Sequence, residues 1–197
     1  MNSHSVIKVI GLCILGVVFA VMLNAAPVYS IKTTNLLDKK GKVLGVVTPA
    51  TKLNMISSSG NLTKVRLKGW SAYGAETVIF KKMGQRIVLA FLEEDALSYI
   101  KKGKVKKDPY ETEWNEISIV AWVKTGDITK FQNEVWEKAK NLFNERCGAC
   151  HQPHPPHEFT ANQWPNIVNA MKARAGLNPD EKWLLIKYMQ NHAKDIK

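Results

Sequence analysis

The chain has 197 residues, 45% hydrophobic and 23% charged, with a formal net charge of +11. These values fit one or two modest globular domains, and the sequence holds no low-complexity tract and no internal repeat. The basic excess is uneven, with 18 Lys/Arg against 9 Asp/Glu in residues 1–126. Such an excess suits an acidic protein partner or an anionic membrane surface, with solvated surface lysines as the plain alternative.

The first segment reads as an export signal. Lys8 precedes an apolar run from Val9 to Leu23, and the small residues Ala25 and Ala26 follow. A positive start, an apolar middle and a small-residue exit are the layout of a secretory leader. Cleavage fits after Ala25 or after Ser30. The run is shorter than the ~20 residues a spanning helix prefers, yet adding Val6 and Ile7 leaves an uncleaved membrane anchor open. Residues 1–30 are therefore read as a signal peptide or N-terminal anchor. Cys13 lies inside the apolar run and reads as an apolar filler. Export places the protein in the periplasm, soluble or held at the inner membrane, and argues against nucleic acid as a partner.

Residues 31–126 read as a β domain. Val43 to Val47, Lys52 to Ile56, Leu62 to Leu67, Val78 to Phe80 and Ile87 to Leu92 are short runs rich in β-branched and aliphatic residues. Gly41, Thr48-Pro49, Ser57 to Asn61 and Gly69 separate them. Closely spaced short strands predict a small barrel or sandwich. A short helix is expected from Glu93 to Lys101. Residues 101–109, with five lysines in seven positions before Asp108-Pro109, read as a basic exposed loop. Glu116 to Lys124 returns to alternation, with Ile117, Ile119, Ala121 and Val123 on one face. The stretch GKVLGVVTPATKLNMISSSGNLTKVRLKGWSAY resembles bacterial SH3-like domains over about 45 residues, which implies a fold and no function.

Residues 127–197 change period. Phe131, Val135, Ala139, Leu142 and Phe143 recur at helical spacing, with Thr129 and Gln132 as a capping box. A second helix is expected from Thr160 or Ala161 to Ala175, capped by Thr160 and Gln163, with Trp164, Val168, Met171 and Ala175 on one face. The third starts at Asn178-Pro179, with Asp180 and Glu181 near its positive end. Leu184, Leu185, Tyr188, Met189 and His192 form its expected buried stripe. About 70 residues give three helices a thin core, too little to be very stable unaided.

Cys147-Gly148-Ala149-Cys150-His151 follows the first helix. Two thiols three residues apart reach the two vinyl groups of one porphyrin, and the adjacent His projects to the iron from the same face. Cys147 and Cys150 are thus the thioether attachments of one haem c, and His151 is the proximal ligand. A disulfide leaves His151 without a role, and a thioredoxin-like pair lacks its βαβ context. Zinc on Cys147, Cys150, His154 and His157 lacks the usual separation between ligand pairs.

AKNLFNERCGACH resembles the first helix of class I cytochromes c, and LLIKYMQ resembles their last helix. CGACHQPHPPHEFTANQWPNIVNAMKARAGLNPDEKWLLIKYMQNHAKD resembles the C-terminal monohaem domain of TorC-type cytochromes, most specifically in its Pro-Pro-x-x-Phe-Thr-Ala-Asn-Gln-Trp-Pro run. The likeness extends upstream through most of the chain after the leader. It implies an α+β protein: an N-terminal SH3-like small β-barrel domain followed by an all-α class I-like cytochrome c domain. It also implies electron donation to a periplasmic molybdenum reductase of trimethylamine N-oxide or dimethyl sulfoxide. Full-length members carry four further haem motifs where this chain has one. Quinol oxidation would then belong to an upstream membrane cytochrome.

The sixth iron ligand has five contenders: His154, His157, Met171, Met189 and His192. The two loop histidines follow His151 too closely to cross to the opposite face. Met189 reads as core and His192 as exposed. Met171, 20 residues after His151 and on the Trp164 face, is the ligand taken, with a flexible core filler as its alternative. The leading reading is an electron carrier rather than an enzyme. The other is a haem protein with an open distal site, which binds or senses a small ligand or acts as a weak peroxidase.

Overall fold

A computed structural model describes residues 26–196. The leader or anchor, up to residue 25 and including Cys13, lies outside the described residues. Ten strands come first: β1 (Pro27–Ser30), β2 (Thr34–Leu37), β3 (Val43–Val47), β4 (Lys52–Ser59), β5 (Leu62–Ala72), β6 (Ala75–Lys82), β7 (Gln85–Leu92), β8 (Lys101–Lys107), β9 (Glu113–Lys124) and β10 (Ile128–Thr129). Three helices follow: α1 (Gln132–Cys147), α2 (Trp164–Met171) and α3 (Pro179–Asn191). The protein is α+β.

The sheet runs β10-β1-β4-β5-β6-β7-β3-β2-β9-β8, and a further pairing of β5 with β9 closes six of its strands into a barrel. The closing pair holds register from Leu62↔Lys124 to Ala72↔Trp114. Both strands alternate, and their inward residues Val65, Leu67, Ile117, Ile119, Ala121 and Val123 are all 2% exposed or less. The four β9 residues expected on one face are therefore core. Gly45 sits at φ +149°, where a Cβ would lie 2.3 Å from the Phe91 carbonyl oxygen, so strand β3 can approach β7 this closely only with glycine.

Several expectations need correcting. The basic segment 101–109 is not a loop through its length, because Lys101–Lys107 pairs with β9 as an edge strand. All seven of its residues are exposed, so no alternation marks it in the sequence. A lysine-studded edge is also how sheets discourage unwanted pairing. Asp108 closes the following turn by accepting from the Tyr110 and Thr112 backbone amides and from Trp114 Nε1. The helix expected from Glu93 is a 3-10 segment, Glu94–Tyr99. Thr129 does not cap α1 in a capping box with Gln132. It is the end of β10, where its hydroxyl accepts from the Phe131 amide and donates to Glu134. Strand pairing therefore continues past 126, and Pro27–Ser30, expected within the leader or anchor, forms a strand between β4 and β10.

The helices lie against the barrel rather than apart from it. Tyr29 and Ala50 pack with Val135, Ala139 and Leu184, while Ile87 joins the Trp164–Leu185–Met189 cluster. For this reason α3 is buried on more than one stripe: Ile186, Lys187 and Gln190 are all 2% exposed or less. His192, expected in that stripe, is exposed.

Candidate haem site

The end of α1, the segment that follows it, α2 and α3 surround one cleft. Phe143, Trp164, Val168, Leu185 and Met189 give it an apolar wall, and the space, including its open mouth, is about 850 Å³. Each wall has a local cause. Helix α1 presents Phe143 and Cys147 one turn apart. Helix α3 starts at a complete capping box: Asn178 Oδ1 accepts from the Glu181 amide, and Glu181 Oε2 accepts from the Asn178 amide, both at 2.9 Å.

The Pro-Pro-x-x-Phe-Thr-Ala-Asn-Gln-Trp run acts as a brace between these walls. Trp164 Nε1 donates to the Pro156 carbonyl at 2.8 Å, and its ring meets Phe159 edge-on at 5.2 Å. Gln163 Oε1 accepts from the Thr160 amide and hydroxyl, so this pair shapes the turn before α2. The helix itself begins at Trp164 and ends at Met171, inside the predicted span. Gln190 Nε2 donates to the Ala161 and Arg86 carbonyls, which ties the brace to α3 and β7.

Cys147, Cys150, His151 and Met171 all line this cleft. Cys147 ends α1 and is half-buried, which pushes its thiol pKa up; Cys150 is exposed, and both are free thiols. The His151 ring is exposed, and its Nδ1 donates to the Gln152 carbonyl at 2.9 Å, leaving Nε2 as the available nitrogen lone pair. Met171 is 40% exposed. Of the other contenders, His154 and Met189 also line the cleft; His157 and His192 do not. His154 Nδ1 is engaged by the Glu158 carboxylate. His192 donates to the Tyr188 carbonyl and packs edge-on against Trp136. Among the described residues no cluster of three or more His, Cys, Asp or Glu is arranged to hold a bare metal ion.

Sequence reasoning missed two arginines. Arg146 and Arg174 line the same cleft, and Arg146 Nε is buried with no hydrogen-bond partner. Its only carboxylate neighbours among the described residues are Glu145, 3.9 Å from Nε, and Glu181, 3.6 Å from Nη2, both at ion-pair range and beyond hydrogen-bond distance. An orphaned guanidinium N–H beside an apolar cleft is costly by itself and well suited to an acidic group entering that cleft. The visible signal was an arginine directly before the first cysteine. Two thiols, an imidazole with Nε2 free, apolar walls and two cleft-lining guanidinium groups match the thioether, iron, ring and propionate demands of haem c.

Known proteins point the same way. The description "TorC third cytochrome c domain" matches residues 23–128, more than half of the chain. The chain belongs to the TorC/TorY family of c-type cytochromes. Membership implies covalently bound haem c. A second model, described as dihaem cytochrome c, matches residues 143–197, where this sequence holds one Cys-x-x-Cys-His. The cytochrome c-type protein TorY of Escherichia coli is 30% identical over 88% of this chain and 46% of its own length. TorY of Haemophilus influenzae is 32% identical over 84% and 44%, and TorC of Escherichia coli 29% over 85% and 44%. The chain thus spans less than half the length of these relatives. No solved structure matches it.

Proposed function

We propose that the protein is a periplasmic monohaem electron carrier of anaerobic respiration. The observation that supports this most is the single cleft lined by Cys147, Cys150, His151 and Met171. Haem c, when bound, supplies a one-electron couple there. Cys147 and Cys150 would hold it through thioethers. His151 presents Nε2 as proximal ligand, its ring oriented by the Gln152 carbonyl. Met171 would serve as the second iron ligand, and its partial exposure at the end of α2 leaves the thioether free to turn inward. Arg146 and Arg174 would meet its propionates, and the apolar walls would keep water from the ring. The segment up to residue 25, as leader or anchor, would account for the location, since Pro27–Ser30 belongs to the sheet.

Electrons would come from a membrane cytochrome that oxidises quinol and pass to a molybdenum-containing N-oxide or S-oxide reductase. The reductase is inferred from the resemblance to TorC-type cytochromes, and the protein is read as a carrier rather than an enzyme. Purified protein is expected to carry one haem by mass and to show a low-spin ferric spectrum with the methionine–iron band. Reduced protein should be reoxidised by such a reductase only when its oxide substrate is present. A high-spin ferric spectrum with rapid carbon monoxide binding would assign it instead to the ligand-binding or peroxidase reading.

A further inference from the structure

The helices cover β1, the β3–β4 turn and the β6–β7 hairpin, which leaves the outer face of β4, β5, β9 and β8 to solvent. Register fixes what that face displays. Inward positions are core, so the partners Asn54, Arg66 and Val120 form one outward row, and Lys68, Ser118 and Lys101 form the next. A third row pairs Lys64 with Trp122, the Lys64 ammonium lying 5.8 Å from the indole centroid. Lys39, Lys40, Lys64, Tyr99, Val120 and Trp122 surround a shallow hollow whose space, including its open mouth, is about 870 Å³. Val120 is 38% exposed and Tyr99 43%. Cations thus ring an apolar and aromatic centre. The one carboxylate lining the hollow, Asp38, accepts from the Lys40 and Lys42 amides and the Tyr99 hydroxyl, so part of its capacity is used internally.

The point where the chain enters this face narrows the choice of partner. Pro27 pairs with Asn54 and so stands at the end of the Asn54–Arg66–Val120 row. Ala26 is pinned there by the Met55 amide, which donates to its carbonyl at 2.9 Å. In sequence, the apolar run ending at Leu23 is only three residues upstream of Ala26. Three residues reach at most about 11 Å, roughly one Debye length at physiological salt.

We propose that this face docks on an anionic phospholipid surface. The lysines and Arg66 meet lipid phosphates, while Tyr99, Val120 and Trp122 settle at the headgroup level, as amphipathic aromatic rings do at interfaces. An acidic protein would satisfy the charges, but it gives no reason for the entry of the chain beside the apolar run. Docking in this way holds the barrel against the membrane and leaves the cleft helices free for a redox partner. The inference stands apart from haem chemistry.

The test is lysine footprinting of the holoprotein on vesicles of phosphatidylcholine alone or with one-third phosphatidylglycerol. Lys64, Lys68 and Lys101 should be labelled at least about threefold more slowly on the anionic vesicles, with protection lost in high salt. Lys172 and Lys182, on the helical side, should not change. The paired substitutions R66E and K68E should abolish the protection and leave the visible spectrum intact. Equal labelling on both vesicle types would overturn the proposal. So would protection by a polyglutamate chain with none on anionic vesicles, which would make the face a protein-docking site.

Discussion

Lys187 Nζ donates a 3.0 Å hydrogen bond to Thr51 Oγ1 across the seam between α3 and the start of β4. The lysine is 1% exposed, and burial, with the Lys81 ammonium nearby, pushes its pKa down from 10.5 to about 7. The unfolded chain therefore binds this proton first as pH falls. Stability should rise with pH between about 7 and 10.5 and be flat in this respect below about 7. A tenfold difference in proton affinity is worth about 1.4 kcal/mol, so the rise amounts to several kcal/mol at most. Lys187→Met should flatten that slope and stabilise the protein near neutrality, since Thr51 keeps its bond to the Leu89 carbonyl. Denaturant unfolding of both proteins across this pH range measures it. An unchanged slope in the variant would show that Lys187 stays charged in the fold.

Strand β1 makes a prediction about maturation. Val28 is 2% and Tyr29 9% exposed, and the Ser30 hydroxyl donates to the Thr48 carbonyl and accepts from the Thr51 amide. Removing a leader after Ala25 keeps all of this, whereas removal after Ser30 deletes a strand that joins β4 to β10. If the leader is cleaved, the mature mass should correspond to a start at Ala26. A version starting at Ile31 should be less stable by several kcal/mol, from lost apolar burial and stranded polar groups. A mature protein beginning at Ile31 with an undiminished melting temperature would contradict the role given to β1.

Arg146 should tune the potential. A cation beside the cleft favours the reduced state, which carries one positive charge fewer. Arg146→Gln should lower the midpoint potential by some tens of millivolts and Arg146→Lys by less, as expected for a charge several Å away at moderate effective dielectric. Spectroelectrochemical titration reads this directly. Equal potentials in all three proteins would mean that the guanidinium does not face the haem.

How much of this was legible beforehand depended on whether a residue answers to local or distant partners. Ile117, Ile119, Ala121 and Val123 announced their face because strand alternation is local, and Asn178-Pro179 announced the start of α3 because cap chemistry is local, while the reciprocal bond from the Asn178 amide to Glu181 came from the structure. Strand β8 was hidden because an edge strand with both faces in water carries no apolar pattern. The burial of Lys187 left no mark in the sequence because the Thr51 hydroxyl that receives it is 136 positions away. The cysteines and His151 were legible as a motif, while Arg146 needed the folded cleft to show that its Nε has no partner.

The two cleft methionines separate ligation from packing. Met171 is 40% exposed at the end of α2, so truncation there removes little buried surface. Met189 is 1% exposed and packs in the Trp164–Leu185 cluster, so Met189→Ala opens a cavity and should cost about 2–5 kcal/mol. If Met171 holds the iron, Met171→Ala should abolish the methionine–iron band, lower the potential and admit carbon monoxide, while changing thermal stability less than Met189→Ala does. Met189→Ala should keep the band at a reduced melting temperature. A band that survives Met171→Ala and vanishes in Met189→Ala would exchange the two roles. The ligand would then lie on α3, where the capping box at Asn178 and the bond from Lys187 to Thr51 hold the helix in place.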